Sequence, residues 1–477
     1  MQKTLSLVFF VGVISLLCVV YVYRNAIMCN EVCWLEASQW LYRGELDKVR
    51  VWTDSVKRVS ERHGQDWLKA DSLAQIAQRI DLDYCIDEKS VQQHLQKAGR
   101  ENETGGLPLW ANDSLLEWRM VNGEKKFFKR AASNLKILNG IKESLFDSSL
   151  TGFCLQHTAD VIEQRSKSNC NLLAPKSFEV TYTIAVDANV VPAGEIVRCW
   201  LPYPKGCHLR QAEVHLVSAS EDSFVIAEDT CTHRSVYIEK PAVADKKTVF
   251  EVNYSYVSSA EYVVLDPVDI RPYNIDKDLY EVYTRQQAPH IVFSDRIKNL
   301  ADSIVGRETN PYQVVRKLYR WIDQHIPWAG APEYSIMSCI PEYVLGYKRG
   351  DCGMQTMLFM TMARYKGIPV KWQSGWMMHP GHVNLHDWCE VYYENIGWVP
   401  LDMSMGLQDS NCKQVKEFYI TGIDAYRLIV NDGIGDQFYP SKKFLRSEPY
   451  DFQRGEVEWK EGNLYFNQWD YTMQISN

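Results

Sequence analysis

The sequence predicts an α+β protein in which a cysteine-bearing helix lies against an antiparallel sheet, preceded by a β-sandwich and a mainly helical N-terminal region. Three observations carry this expectation. Helical spacing of apolar residues dominates residues 31–172, and period-two alternation takes over from Ser177 to Val264. Gly350-Asp351-Cys352 then opens a run of helix formers, followed by two strand-like segments, His386–Tyr393 and Trp398–Asp402. At 477 residues the chain is too long for one ordinary core.

Taken in order, Lys3 precedes nineteen largely apolar residues, Leu5–Tyr23, closed by Arg24. Residues 1–24 read as an N-terminal membrane anchor or secretory signal with the body exported, on the periplasmic or cell-surface side. Residues 25–172 are expected to be mainly helical. Trp34, Leu35, Trp40 and Leu41 open one amphipathic segment, and Asp71–Ile80 and Ala131–Phe146 form others. Gly99–Pro108 is a loop, and Leu116–Phe128 is a hairpin turning at Asn122-Gly123. Cys154 and His157 are two ligand-type residues, too few to define a metal site, so packing is their expected role.

Residues 173–265 read as the β-sandwich, with strands at Phe178–Val186, Ile196–Leu201, Ala212–Val217, Ser235–Glu239 and Thr248–Tyr256. A polar connector spans 266–290. The core, 291–410, opens with helices over Ser294–Val305 and Asn310–His325. Residues 411–477 are expected to extend the core sheet, with a hairpin around Lys460-Glu461-Gly462-Asn463. Thirteen cysteines show no regular framework, although Cys29-x3-Cys33 and Cys199-x7-Cys207 could each close a disulfide. A net charge of −8, with no basic run and no zinc-ligand spacing, argues against a nucleic-acid partner.

The chemistry concentrates between Arg349 and Asp402. Cys352 falls on a helical first turn, where unpaired N–H groups and the positive dipole end favour thiolate. A thiolate attacking an acyl carbon needs a base, and the base needs an orienting acceptor. His386 and Asp402 supply these if the hairpin has the right register. A three-residue loop, Glu394-Asn395-Ile396, pairs Tyr393 with Gly397 and puts Asp402 opposite Trp388. His386 is then the diagonal, same-face neighbour of Asp402.

Together Gly350-x-Cys352, Ala363-Arg364-x-x-Gly367-Ile368-Pro369, His386-x-Trp388-x-Glu390-Val391-Tyr392 and Trp398-x-Pro400-x-Asp402 resemble the core of the transglutaminase-like superfamily. The resemblance covers roughly Ser294–Met405. It implies a papain-like core with Cys352 as nucleophile, His386 as base and Asp402 as its orienter. It also implies an oxyanion site made by the Cys352 N–H and one upstream donor, with Trp321, Gln324 and Trp328 as candidates. Trp376, His382 and Trp388 are candidate substrate contacts, and His379 and His382 are otherwise expected to be exposed loop residues.

The expected function is cysteine-dependent acyl transfer on an exported protein or peptide amide, favouring hydrolysis over crosslinking. No cofactor or metal is called for. The alternative is a catalytically silent envelope scaffold or peptide-binding module. A weaker third reading is metal binding by His379, His382 and His386.

Overall fold

The computed structural model describes residues 33–96, 116–138 and 148–476, so the expected anchor and the Gly99–Pro108 loop lie outside the described residues. No helix among the described residues is long and apolar enough to cross a membrane. The chain divides into two units, Met1–Ala132 and Ser133–Asn477. The helical region expected as one block, 25–172, is therefore split.

In the first unit the helices are α1 (residues 33–43), α2 (Leu46–Val59), α3 (Gln65–Asp83) and α4 (Glu88–Gln96). α2 and α3 bury one stripe each, with Leu46 and Val49 on one and Trp67, Ala70, Ala77 and Ile80 on the other. Strands β1 (Trp118–Val121) and β2 (Glu124–Phe127) pair so that Val121 meets Glu124. Asn122 and Gly123 are left as a two-residue loop with φ of 49° and 84°, the conformation a type I′ turn requires.

The second unit begins within α5 (Ala131–Leu138) and continues through α6 (Ser148–Lys167) into the sandwich. Its long strands are β3 (Leu172–Val186), β4 (Ile196–Pro202), β5 (Gln211–Ala219), β7 (Ser235–Pro241) and β8 (Thr248–Tyr262), all near the expected positions; β6 (Phe224–Ile226) is additional. Alternate residues turn inward, among them Val180, Tyr182, Ile184, Val236, Ile238, Val252 and Tyr254.

The core helices are α7 (Asp278–Thr284), α8 (Asp295–Val305), α9 (Pro311–His325), α10 (Ile340–Tyr347) and α11 (Cys352–Tyr365). Ser294 and Asn310 cap α8 and α9 by accepting from the N–H groups of Ile297 and Gln313. α11 is buried from Cys352 to Arg364, as befits a central helix enclosed on every side. The core sheet has the antiparallel order β11-β10-β9-β13, from β9 (Val370–His379), β10 (His382–Tyr393), β11 (Gly397–Leu401) and β13 (Arg427–Asn431).

The C-terminal segment departs from expectation. β13 does extend the core sheet, but β14 (Glu456–Trp459), β15 (Gly462–Leu464) and β16 (Trp469–Ser476) do not. β14 pairs with β4 and β16 with β3, while short β12 (Gly422–Ile423) pairs with β8. These strands cover open sandwich edges that would otherwise leave a row of unpaired backbone groups. The expected hairpin around Lys460 is present, with Val457 opposite Leu464. The Cys199–Cys207 disulfide is not: Cys199 is a buried thiol on β4 and Cys207 an exposed one.

Candidate active site

Cys352 opens α11 as expected. Asp351 is the N-cap, its side chain accepting from the Met354 N–H at 3.1 Å, and Gly350 pairs with Trp328 in a parallel bridge. The cap engages Met354, and the first-turn N–H groups before it belong to Cys352 itself and Gly353, beside the sulfur.

The hairpin has the register read from the sequence. Tyr393 pairs with Gly397 and Cys389 with Leu401, so Glu394-Asn395-Ile396 is the three-residue loop. Beyond the last pair the same register sets Asp402 opposite Trp388, and His386 Nε2 meets Asp402 Oδ2 at 2.7 Å. Both side chains are fully buried. Among the described residues, His386 Nδ1 has no hydrogen-bond partner.

Asp402 is held from other directions too. Its Oδ1 accepts from the N–H groups of Ser404 and Met405, and Arg427 lies 3.0 Å from Oδ2. Arg427 also reaches Asp424 at 2.6 Å, and Asp424 meets His379 Nε2 at 3.2 Å. A buried chain thus runs His386–Asp402–Arg427–Asp424–His379. Burial opposes ionisation of both carboxyls, but His386 and Arg427 hold Asp402 below the usual carboxylate range, and Arg427 and His379 hold Asp424 well below it. Burial also pushes the His386 imidazolium down, and Arg427 adds to the effect.

The third member sits differently. Adjacent strand residues point to opposite faces. The face carrying Cys389, Val391 and Tyr393 packs against Met354, Met357 and Leu358 of α11, whereas Trp388, on the His386 face, packs against Ile423 and Ile429. The residue that meets Cys352 is consequently Asp387, whose Oδ2 accepts from the thiol at 3.4 Å. Burial, then the Asp387 and Asp351 charges, push the Cys352 thiol well above its ordinary range. The structure thus joins His386 to Asp402, and Cys352 to Asp387, within one turn of hairpin.

The remaining candidates separate clearly. Trp328 adjoins the loop before Cys352, and its Nε1 is buried without a partner. It lines a cavity of about 280 Å³ together with Gln355, Met403, Ser404 and Met405. Trp321 instead stacks on His325 on the outer side of α9, and Gln324 is exposed, so Trp328 alone of the three stands at the cysteine loop. Trp376 is buried in the sandwich core and donates to the Gln453 carbonyl, and Trp388 is fully buried and donates to Gln373. Both side chains are engaged in packing in this structure. His382 begins β10 and bonds Ser149 Oγ at 3.0 Å. His379 is not an exposed loop residue: β9 and β10 run to a tight turn at Pro380-Gly381, which leaves His379 buried on Asp424. Cys154 lies 3.9 Å from His379 Nε2, and burial pushes its thiol up to about 12. Among the described residues no group of three or more metal-type ligands gathers.

A thiol at a helix N-terminus and an imidazole–carboxylate pair on an antiparallel hairpin are the residue types of a papain-like core. Residues 298–403 match the family model of the transglutaminase-like superfamily core, so the chain carries a transglutaminase-like core. An uncharacterized protein of Haemophilus influenzae is 21% identical over 327 residues, covering 59% of this chain and 85% of that one. Among solved structures, a candidate cysteine protease from Cytophaga hutchinsonii is 13% identical with a TM-score of 0.41, over 64% of this chain and 91% of that one. The periplasmic domain of TgpA from Pseudomonas aeruginosa is 12% identical with a TM-score of 0.25, over 51% and 93%.

Proposed function

We propose that this chain is an exported cysteine hydrolase that cleaves amide bonds of proteins or peptides through Cys352, His386 and Asp402. The observation that carries the reading is the buried His386–Asp402 bond at 2.7 Å, which fixes the ring through Nε2 and leaves Nδ1 open. The reading requires His386 Nδ1 to reach the Cys352 thiol, which in this structure bonds Asp387 on the neighbouring face of β10; Nδ1 then takes the Cys352 proton, and sulfur attacks the amide carbon. The imidazolium then protonates the leaving amine, giving a thioester that water hydrolyses. Asp402 stays ionised and steadies the imidazolium. The Cys352 N–H and Trp328 Nε1–H are the oxyanion donors of the proposal, since both stand at the same loop.

Hydrolysis is preferred to crosslinking because the tryptophans that could shield a thioester from water are engaged elsewhere. Trp372 and Trp376 lie in two separate cores, Trp388 packs on Ile423 and Ile429, and Trp398 packs edge-on to Tyr283. Export rests on the apolar Leu5–Tyr23 segment. The reading as a silent peptide-binding core has one observation in its favour, the carboxylate-bound thiol of Cys352.

The test incubates full-length protein and its Cys352→Ala variant with a peptide mixture, with and without a labelled primary amine, and reads products by mass. Cleavage or deamidation that requires Cys352 supports the hydrolase. Amine incorporation would make it a transferase, and identical behaviour of the two proteins favours the silent core.

A further inference from the structure

Asp387 is surrounded in a way the triad does not require. From α11, the Cys352 thiol donates to its Oδ2 at 3.4 Å, with the Asp351 carboxyl close behind and Tyr334 donating to Asp351. From the C-terminal segment, Gln453 Nε2 donates to Oδ1 at 2.9 Å and also to the carbonyls of His386 and Gly375, each at 3.0 Å. The Asp451 carboxyl accepts from Ser374 and Asn431, and Ser374 is the β9 partner of Asp387, so the two carboxyls are neighbours. Beyond them, Glu448 is paired with Arg454, Arg454 with Glu333, and Arg446 donates to the Asp451 carbonyl. His386 belongs to the opposite face of β10 with Asp402. The contact also explains the residue after the cysteine. A Cβ on Gly353 would stand 2.6 Å from Asp387 Oδ2 and closer still to the Tyr334 hydroxyl, so only glycine lets the carboxyl approach the first turn of α11.

Two neighbouring carboxyls in a buried site cannot both ionise cheaply, so they share one proton and one negative charge. We propose that Asp387, backed by Asp451 and Gln453, is the positioning residue for Cys352: it accepts the thiol hydrogen bond and keeps the resting nucleophile protonated. The proposal rests on Cys352 being the nucleophile, but its consequence is read on the thiol itself and needs no turnover. The roles of the two acids are unequal. Replacing Asp387 leaves the remaining charge on Asp451, one residue further from sulfur, and eases ionisation of the thiol. Replacing Asp451 instead leaves the whole charge on Asp387, against the thiol, and does not ease it.

The experiment measures alkylation of Cys352 by iodoacetamide from pH 5 to 10 in the full-length protein, quantified on the Cys352 peptide, with folding checked by circular dichroism. Wild type is expected to react with a midpoint above the ordinary cysteine value of about 8.5. Asp387→Asn is expected to lower that midpoint by about one unit or more, raising alkylation at pH 7 about tenfold. Asp451→Asn is expected to leave it in place or raise it. A midpoint unmoved by Asp387→Asn in a folded protein, or equal acceleration in both variants, overturns the proposal. If Asp387→Asn does not fold, the wild-type midpoint and Asp451→Asn decide: a wild-type midpoint at or below 8.5, or a faster Asp451→Asn, overturns it.

Discussion

Replacing Arg427 by Met probes the polar chain behind the triad. The Arg427 side chain is fully buried, 3.0 Å from Asp402 and 2.6 Å from Asp424, with its guanidinium over the Trp388 ring at 5.5 Å. Met fills similar space but leaves two carboxylates in a dry interior without the cation between them, held by their imidazole partners and neutral donors only. Breaking a buried ion pair from one side costs about 3–5 kcal/mol, and this arginine serves two acids, so a loss at or above about 4 kcal/mol is expected. Urea unfolding at pH 7 measures it, and adding Asp424→Asn should recover part of the loss because one orphaned charge is then removed. A second readout concerns His386. Arg427 helps hold its imidazolium down, so its removal should move the His386 titration, followed by ring-proton NMR, upward. A destabilisation below about 1 kcal/mol, together with an unmoved titration, would refute the reasoning that Arg427 anchors the Asp402 side of the site.

Three further outcomes follow. Gly353→Ala forces a methyl against Asp387 and Tyr334 and should cost about 1–3 kcal/mol by overpacking, measured by the same unfolding curve. Trp328→Phe keeps an aromatic ring but removes the pyrrole and its Nε1–H, and on the proposed role should lower kcat by about 10²–10³ with little change in KM. His290 accepts the Ile340 N–H at 3.1 Å, and burial pushes its imidazolium down to about 4. Its folded value lies below its unfolded one, so its contribution is present above about pH 6.5 and fades as pH falls toward 4. The loss of stability from pH 7 to pH 4 should thus be smaller in His290→Gln by about 3 kcal/mol.

Much of the hairpin was legible because it is local. Gly397 after a three-residue loop sets the register, and the register sets His386 diagonal to Asp402. The start of α11 was legible for the same reason, since Asp351 caps it and Cys352 follows. The face that meets α11 also has a signal in the sequence. Cys389 and Val391 are apolar while Glu390 between them is charged, and a central helix buries against the apolar side, which carries Asp387. Asp451, Gln453 and Asp424 could not be reached by such reasoning. Asp451 and Gln453 arrive through the loop before β14, and Asp424 lies between β12, which pairs with β8, and β13; no spacing in the sequence encodes those pairings. His379 escaped because Pro380-Gly381 reads as part of a long connection, while it is the tight turn between two continuous strands.

The measurement that tests the central claim most directly is covalent trapping of Cys352 by a peptide-based electrophile, read by intact and peptide mass in wild type, His386→Gln and Asp402→Asn. The account predicts one adduct on Cys352 in wild type and loss of labelling in folded His386→Gln. Asp402→Asn should fall between, since the ring survives but loses its orienting charge. Equal labelling in all three proteins would contradict it, because Cys352 would then react without the imidazole the account makes its base.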